Sequence, residues 1–128
     1  MPRPPNLRQQ RFAAEMKREL SGLLHGIRSE LPELEQTLIE VTDVRVTPDL
    51  QQVRAYVLVV PQGRQEFVVR YLNQYQRILR HRLAQRIRHR VKVIPQLQFF
   101  LDEVELRARR VEEILRQLPP SGASEAPA

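Results

Sequence analysis

Cysteine and tryptophan are both absent from the 128 residues. Without cysteine there is no disulfide framework, no thiolate nucleophile and no Cys-based metal site, and such a chain suits a reducing compartment. Aromatic residues make up only 5%, which disfavours a broad base-stacking surface. No stretch approaches the roughly 18 consecutive apolar residues of a membrane span. The opening Met-Pro-Arg-Pro-Pro-Asn lacks the apolar core of a signal peptide. Glycine is scarce, four in all, and no Gly-rich phosphate loop, nucleophile elbow or His-Glu metal motif occurs. The last scarcity is local: Glu66 is the only acid between Gly63 and Leu101.

That acid-poor region holds the most informative feature present. From Arg77 to Lys92 run seven Arg or Lys and two His, with apolar residues at helical spacing among them. The spacing predicts a basic helix held to a core on one side, followed directly by a strand. With a net charge of +6, a fixed positive stripe on one small domain points to a phosphate backbone as partner, because basic side chains displace counterions condensed on nucleic acid. Arg77, Arg80, Arg82, Arg86, Arg88, Arg90 and Lys92 are the candidate RNA contacts, with Arg8 and Arg11 as possible additions. Arg82 and Arg86 sit near the edge of the apolar stripe, whereas Arg90 and Lys92 alternate outward where the strand begins.

Residues 1–6 read as a flexible Pro-rich start. Phe12, Met16, Leu20, Leu23 and Ile27 recur every three or four residues, which predicts an amphipathic helix from Leu7 to about Glu30, ended by Leu31-Pro32. Thr37–Thr47 reads as a strand whose alternation slips by one residue, as a bulge near Thr42–Asp43 would cause. Thr47-Pro-Asp-Leu is a turn, and Val53, Ala55, Val57 and Val59 share one face of a second strand pairing with the first; Pro61-Gln-Gly63 closes the hairpin. Gln65 to about His89 is helical, with Phe67, Tyr71, Leu72, Tyr75, Leu79, Leu83 and Ile87 inward. A straight helix of that length would overrun the domain, so a kink is expected. Val91–Leu101 reads as a third strand with Pro95 near its start. Val104, Ala108, Val111, Leu115 and Leu118 space out a C-terminal helix, stopped by Pro119-Pro120. The order is an α+β fold, α-β-β-α-(kink)-α-β with the helices on one face of a three-stranded sheet. It fits a type II KH-like domain over 7–102, then a helix over 103–118 and a disordered tail over 119–128.

Other features carry less. His25, His81 and His89 lack acidic neighbours at ligand spacing, so neither a metal site nor a catalytic pair is expected. Asp102, Glu103, Glu105, Glu112 and Glu113 balance Arg107, Arg109, Arg110 and Arg116 along the last helix. Tyr56 reads as cross-strand packing rather than a base-stacking platform. A standard KH domain clamps nucleic acid with Gly-x-x-Gly between two helices; here Gly63 stands alone, as a turn residue.

Three stretches resemble the bacterial ribosome-binding factor A family: Arg8-x-x-Arg11; Val41-Thr-Asp-Val44-Arg-Val46-Thr-Pro-Asp49-Leu50 with Val53-x-Ala55-x-Val57; and Lys92-x-x-Pro95-x-Leu97-x-Phe99-x-x-Asp102. The last is the most specific, and the likeness spans about Arg8–Leu118. Where the family's kink carries Ala-x-Gly, this chain has Tyr75-Gln76-Arg77, and Val53 and Lys92 stand for the usual Ala and Arg. The basic run is slightly longer than is typical of the family. The resemblance implies a type II KH-like fold and a cytoplasmic, non-catalytic assembly factor. It implies binding to the 30S small ribosomal subunit and 16S rRNA in late maturation, with no cofactor, no metal and no membrane. Off the ribosome a monomer is expected. The alternative from the residues alone is a protein–protein module built on the C-terminal helix, or a general RNA-binding protein.

Overall fold

The computed structural model describes residues 4–119. The first helix, α1, spans Leu7–Ile27. Asn6 sets its start: its side chain accepts from the Gln9 backbone N–H at 2.8 Å, and Gln9 Oε1 accepts from the Asn6 N–H at 3.1 Å. This reciprocal box satisfies two amide groups that a helix end leaves unpaired. The helix stops at Ile27, before the expected Glu30, and Pro32 starts a separate 3-10 turn, Pro32–Leu34. Phe12, Met16, Leu20, Leu23, Leu24 and Ile27 are all buried.

Strand β1 (Leu38–Val46) pairs antiparallel with β2 (Gln52–Val60), and the register shifts between Val41 and Asp43, where the alternation slips. In the connecting turn, Asp49 accepts from Thr47 Oγ1 at 2.7 Å and from the Gln51 N–H at 3.0 Å. The same turn holds Leu50 at φ 60°, a left-handed conformation rare outside glycine. A second 3-10 turn, Gln62–Arg64, contains Gly63.

The helical region is broken at Tyr75 into α2 (Gln65–Gln74) and α3 (Gln76–Ile87). A straight run would extend roughly 35 Å at about 1.5 Å per residue; the break lets Leu79, Leu83 and Ile87 return to the core, where all three are fully buried. Two residues of the expected inner face lie outside it, Phe67 and Tyr75, each 37% exposed, and Val68 is buried instead. A row spaced every four residues drifts about 40° per step round a helix. One straight stripe therefore cannot run from Phe67 to Ile87.

The third strand, β3, is shorter than expected, Gln96–Leu101, and runs parallel to β2, giving the order β1-β2-β3. Val91–Pro95 is a connecting segment, so Arg90 and Lys92 do not alternate along a strand. One core joins α1, α2 and α3 to a single sheet face made by Val41, Val44, Val53, Ala55, Val57, Val59, Leu97 and Phe99. The last helix, α4 (Glu103–Gln117), begins with the Asp102 side chain accepting from the Glu105 N–H, and buries no residue. The tail expected over 119–128 lies outside the described residues from 120 onward, as do residues 1–3 of the expected flexible start. No helix among the described residues is long and apolar enough to cross a membrane.

Candidate nucleic-acid interface

The basic run folds as α3 and the segment after it, and its cations play three different parts. Arg77 on α3, Arg88 at its end and Lys92 beyond it are exposed and make no ion pair among the described residues. Arg80 is half-buried and structural. Its guanidinium donates to the carbonyls of Pro95 (3.0 Å) and Ile94 (3.1 Å), tying α3 to the chain that leads into β3.

Arg82, Arg86 and Arg90 face acids from α1 and the residues just after it, so the run that has no acid of its own is supplied with them from elsewhere in the chain. Arg82 pairs with Glu30. Arg86 Nε donates to Glu19 at 2.7 Å, and Arg90 donates to the other Glu19 oxygen at 3.0 Å. Arg90 also stands 2.9 Å from Glu15 Oε1, off the hydrogen-bond axis, so that contact is ionic only. The Arg86 hydrogen bond, with help from Arg90, holds the Glu19 carboxyl below its ordinary pKa despite partial burial. Gly22 makes room: a Cβ there would lie 2.9 Å from Arg86 Nη2.

The order of these contacts sets α3 antiparallel to α1. Arg8 and Arg11 share the helical face of Glu15 and Glu19, one and two turns further along. Both are exposed without an ion pair among the described residues, and they lengthen the stripe beyond Arg90. His81 is exposed on α3 and His89 in the turn after it, with His81 Nε2 3.5 Å from Gln85 Nε2. Among the described residues no group of three potential metal ligands occurs.

Two features escape sequence reasoning. Asn73 on α2 donates to the Phe99 carbonyl and accepts from the Phe99 N–H, both at 2.8 Å. One side-chain amide thus closes part of the β3 edge, in the manner of a short strand. The three acids Glu15, Glu19 and Glu30 are the other. Neither carries a local signal, because the partners stand 26 (Asn73 and Phe99) to 75 (Glu15 and Arg90) residues apart. Tyr56 stacks on Phe100 with centroids 5.5 Å apart, the cross-strand packing expected. Charge balance on α4 is realised at Arg109, which bonds Glu105 at 3.1 Å and both oxygens of Glu40 at 2.9 and 3.0 Å. Arg107, Arg110 and Arg116 make no ion pair among the described residues.

A helix, a bulged hairpin, a broken helix pair and a parallel third strand define a KH-like α+β domain of type II, with a basic helix on its surface. The chain matches the family model for Ribosome-binding factor A over residues 8–115. It is 32% identical to ribosome-binding factor A of Chlorobaculum tepidum, over 91% of this chain and 94% of that protein. With the Chlorobium luteolum protein of the same name the identity is 36%, over 87% and 91% respectively. The crystal structure of ribosome-binding factor A from Thermus thermophilus superposes with a TM-score of 0.60 at 28% identity, covering 73% of this chain and 94% of that one. The chain belongs to the ribosome-binding factor A family.

Proposed function

We propose that this chain is a non-catalytic ribosome assembly factor that binds the 30S subunit and contacts 16S rRNA during late maturation. Family membership carries the reading, and the charge distribution suits it. The sheet and the buried faces of α1–α3 form a rigid support for cations directed at folded RNA. Arg77, Arg88 and Lys92 are the first contacts, Arg8 and Arg11 extend them, and Arg82, Arg86 and Arg90 join when phosphates replace their carboxylate partners. Arg80 supports this surface from behind. Arginine suits the task because its planar fork engages two phosphate oxygens at once. Binding reads shape and charge rather than one base sequence, and the β3 edge closed by Asn73 does not suit a strand-edge clamp on single-stranded RNA. The factor favours an immature subunit only to the extent that it binds that state more tightly than the mature one. We further propose a cytoplasmic monomer, with the KH-like domain at 7–102 as the binding unit and 103–118 as an appended helix.

Sedimentation with 30S and 50S subunits over a salt series tests this. The wild type should travel with 30S and leave it as salt rises. A variant carrying Arg77→Glu, Arg88→Glu and Lys92→Glu should lose that binding while keeping its circular dichroism. Equal binding to both subunits, or a variant that still binds 30S fully, would overturn the proposal.

A further inference from the structure

Three carboxylates on and just after α1 occupy three of the seven cations in the basic run. We infer that Glu15, Glu19 and Glu30 act as built-in competitors for RNA phosphate and set the selectivity of this surface. The inference rests on the RNA-binding reading above and concerns which RNA is accepted.

Several observations converge. Arg82, Arg86 and Arg90 lie along one side of α3 and its end, and each meets a carboxylate from a single neighbouring helix or its C-terminal turn. Glu19 serves two arginines at once. Gly22 leaves the space into which Arg86 reaches, where even a methyl group would crowd it. The arginine side chains remain 40–45% exposed, so an incoming phosphate can reach them. The row adds only modestly to stability, because its arginines face solvent, although Glu15 and Glu19 are themselves only 26% and 19% exposed. Its electrostatic role is considerable: each carboxylate cancels a positive charge where RNA would approach.

The consequence concerns discrimination. Non-specific RNA binding comes almost wholly from phosphate neutralisation and weakens with salt in proportion to the phosphates engaged. While the carboxylates hold their arginines, a random duplex meets mainly Arg77, Arg88 and Lys92 and binds weakly. RNA shaped to engage those three and also lie along the α1–α3 seam presents phosphates close enough to displace the carboxylates. Its full set of contacts then forms. The acids thus penalise wrong partners more than the right one, the repulsive component that specificity commonly requires.

The experiment compares the full-length wild type with two triple variants, using a generic duplex RNA and 30S subunits as probes across a salt series. Glu15→Gln/Glu19→Gln/Glu30→Gln removes the competitors. Glu103→Gln/Glu112→Gln/Glu113→Gln makes the same change in net charge on α4. Circular dichroism establishes that both are folded. The first variant should bind duplex RNA about tenfold tighter or more near 0.1 M salt, with a steeper log–log salt slope, by up to about 2 to 3. Its preference for 30S over duplex should fall. The α4 variant should move neither quantity appreciably. If the first variant has the wild-type slope and preference, the inference is wrong. It is equally wrong if the α4 variant gains as much, because net charge alone then explains the change. If wild type and first variant bind neither duplex nor 30S, the RNA-binding reading itself falls.

Discussion

Helices α1 and α4 carry much the same signal in sequence, apolar residues every three or four positions among charged ones, yet they end in different surroundings. Along α1, Met16, Leu20 and Leu24 are fully buried against the sheet. On α4 and at the residue that ends it, Val104, Val111, Ile114, Leu115 and Leu118 are 56–79% exposed. The helix is held near its start, by the Asp102 cap and by Arg109 reaching Glu40. Near that attachment, Leu106 shares a groove of about 380 Å³ with Leu58 and Leu38. Periodicity establishes that a helix has an apolar stripe; what covers the stripe depends on the surface left free by other elements. Here α1, α2 and α3 already cover one face of a three-stranded sheet.

The largest consequence is energetic. Leu20→Ala removes a fully buried side chain and should destabilise the fold by about 2 to 5 kcal/mol. Leu115→Ala alters a side chain 61% exposed and should stay within about 0.5 kcal/mol. Denaturant unfolding followed by circular dichroism measures both. A large loss at Leu115 would mean that α4 is covered in solution, and sedimentation would show whether a second copy covers it.

A sharper division comes from the cap. Asp102 accepts from the Glu105 N–H at 3.0 Å and from the Thr42 hydroxyl, so it joins α4 to the β1 bulge as well as starting the helix. Asp102→Ala should cost about 0.5 to 2 kcal/mol, the usual range for a lost N-cap. The loss should fall on α4, with amides of 103–117 exchanging faster and those of α1 unchanged. Faster exchange spread evenly over both helices would show that α4 is an integral part of the core domain.

Much of this architecture is legible in sequence because its causes are local. The slip from Val41 to Val44 announces a bulge, Thr47-Pro-Asp-Leu a turn, and the length of Gln65–His89 a break; the structure has all three. The inner face of the helical pair fails at Phe67 and Tyr75 because a single stripe does not carry across the break, where the helical phase is reset. Arg90 and Lys92 precede a strand that begins only at Gln96. The candidate interface is legible as a concentration of charge and not as a set of contacts. Separating the exposed Arg77, Arg88 and Lys92 from the structural Arg80 needs the position of the Ile94 and Pro95 carbonyls, and finding the partners of Arg82, Arg86 and Arg90 needs the packing of α1 on α3.

The smallest expected effect is a difference in acid response between the two helices. Arg109 hydrogen bonds hold the Glu40 carboxyl below its ordinary pKa, outweighing partial burial. At Asp102 burial pushes the other way and is overcome by hydrogen bonds from Thr42 and the Glu105 and Val104 N–H groups, so this carboxyl too is lowered. A carboxyl with a folded pKa below its unfolded value contributes stability that is fully present above the unfolded value, near 4, and is lost as pH falls through the lower folded one. Both groups secure α4, whereas α1 is secured by buried apolar contacts that acid leaves unchanged; the lowered Glu19 carboxyl only braces α1 against Arg86 and Arg90. Because the Glu40–Arg109 pair is about half exposed, solvent screening keeps its contribution small. Amide resonances followed from pH 7 to 3 should therefore show α4 fraying below about pH 4 while α1 keeps its protection. Simultaneous loss from both helices would remove the distinction drawn between them.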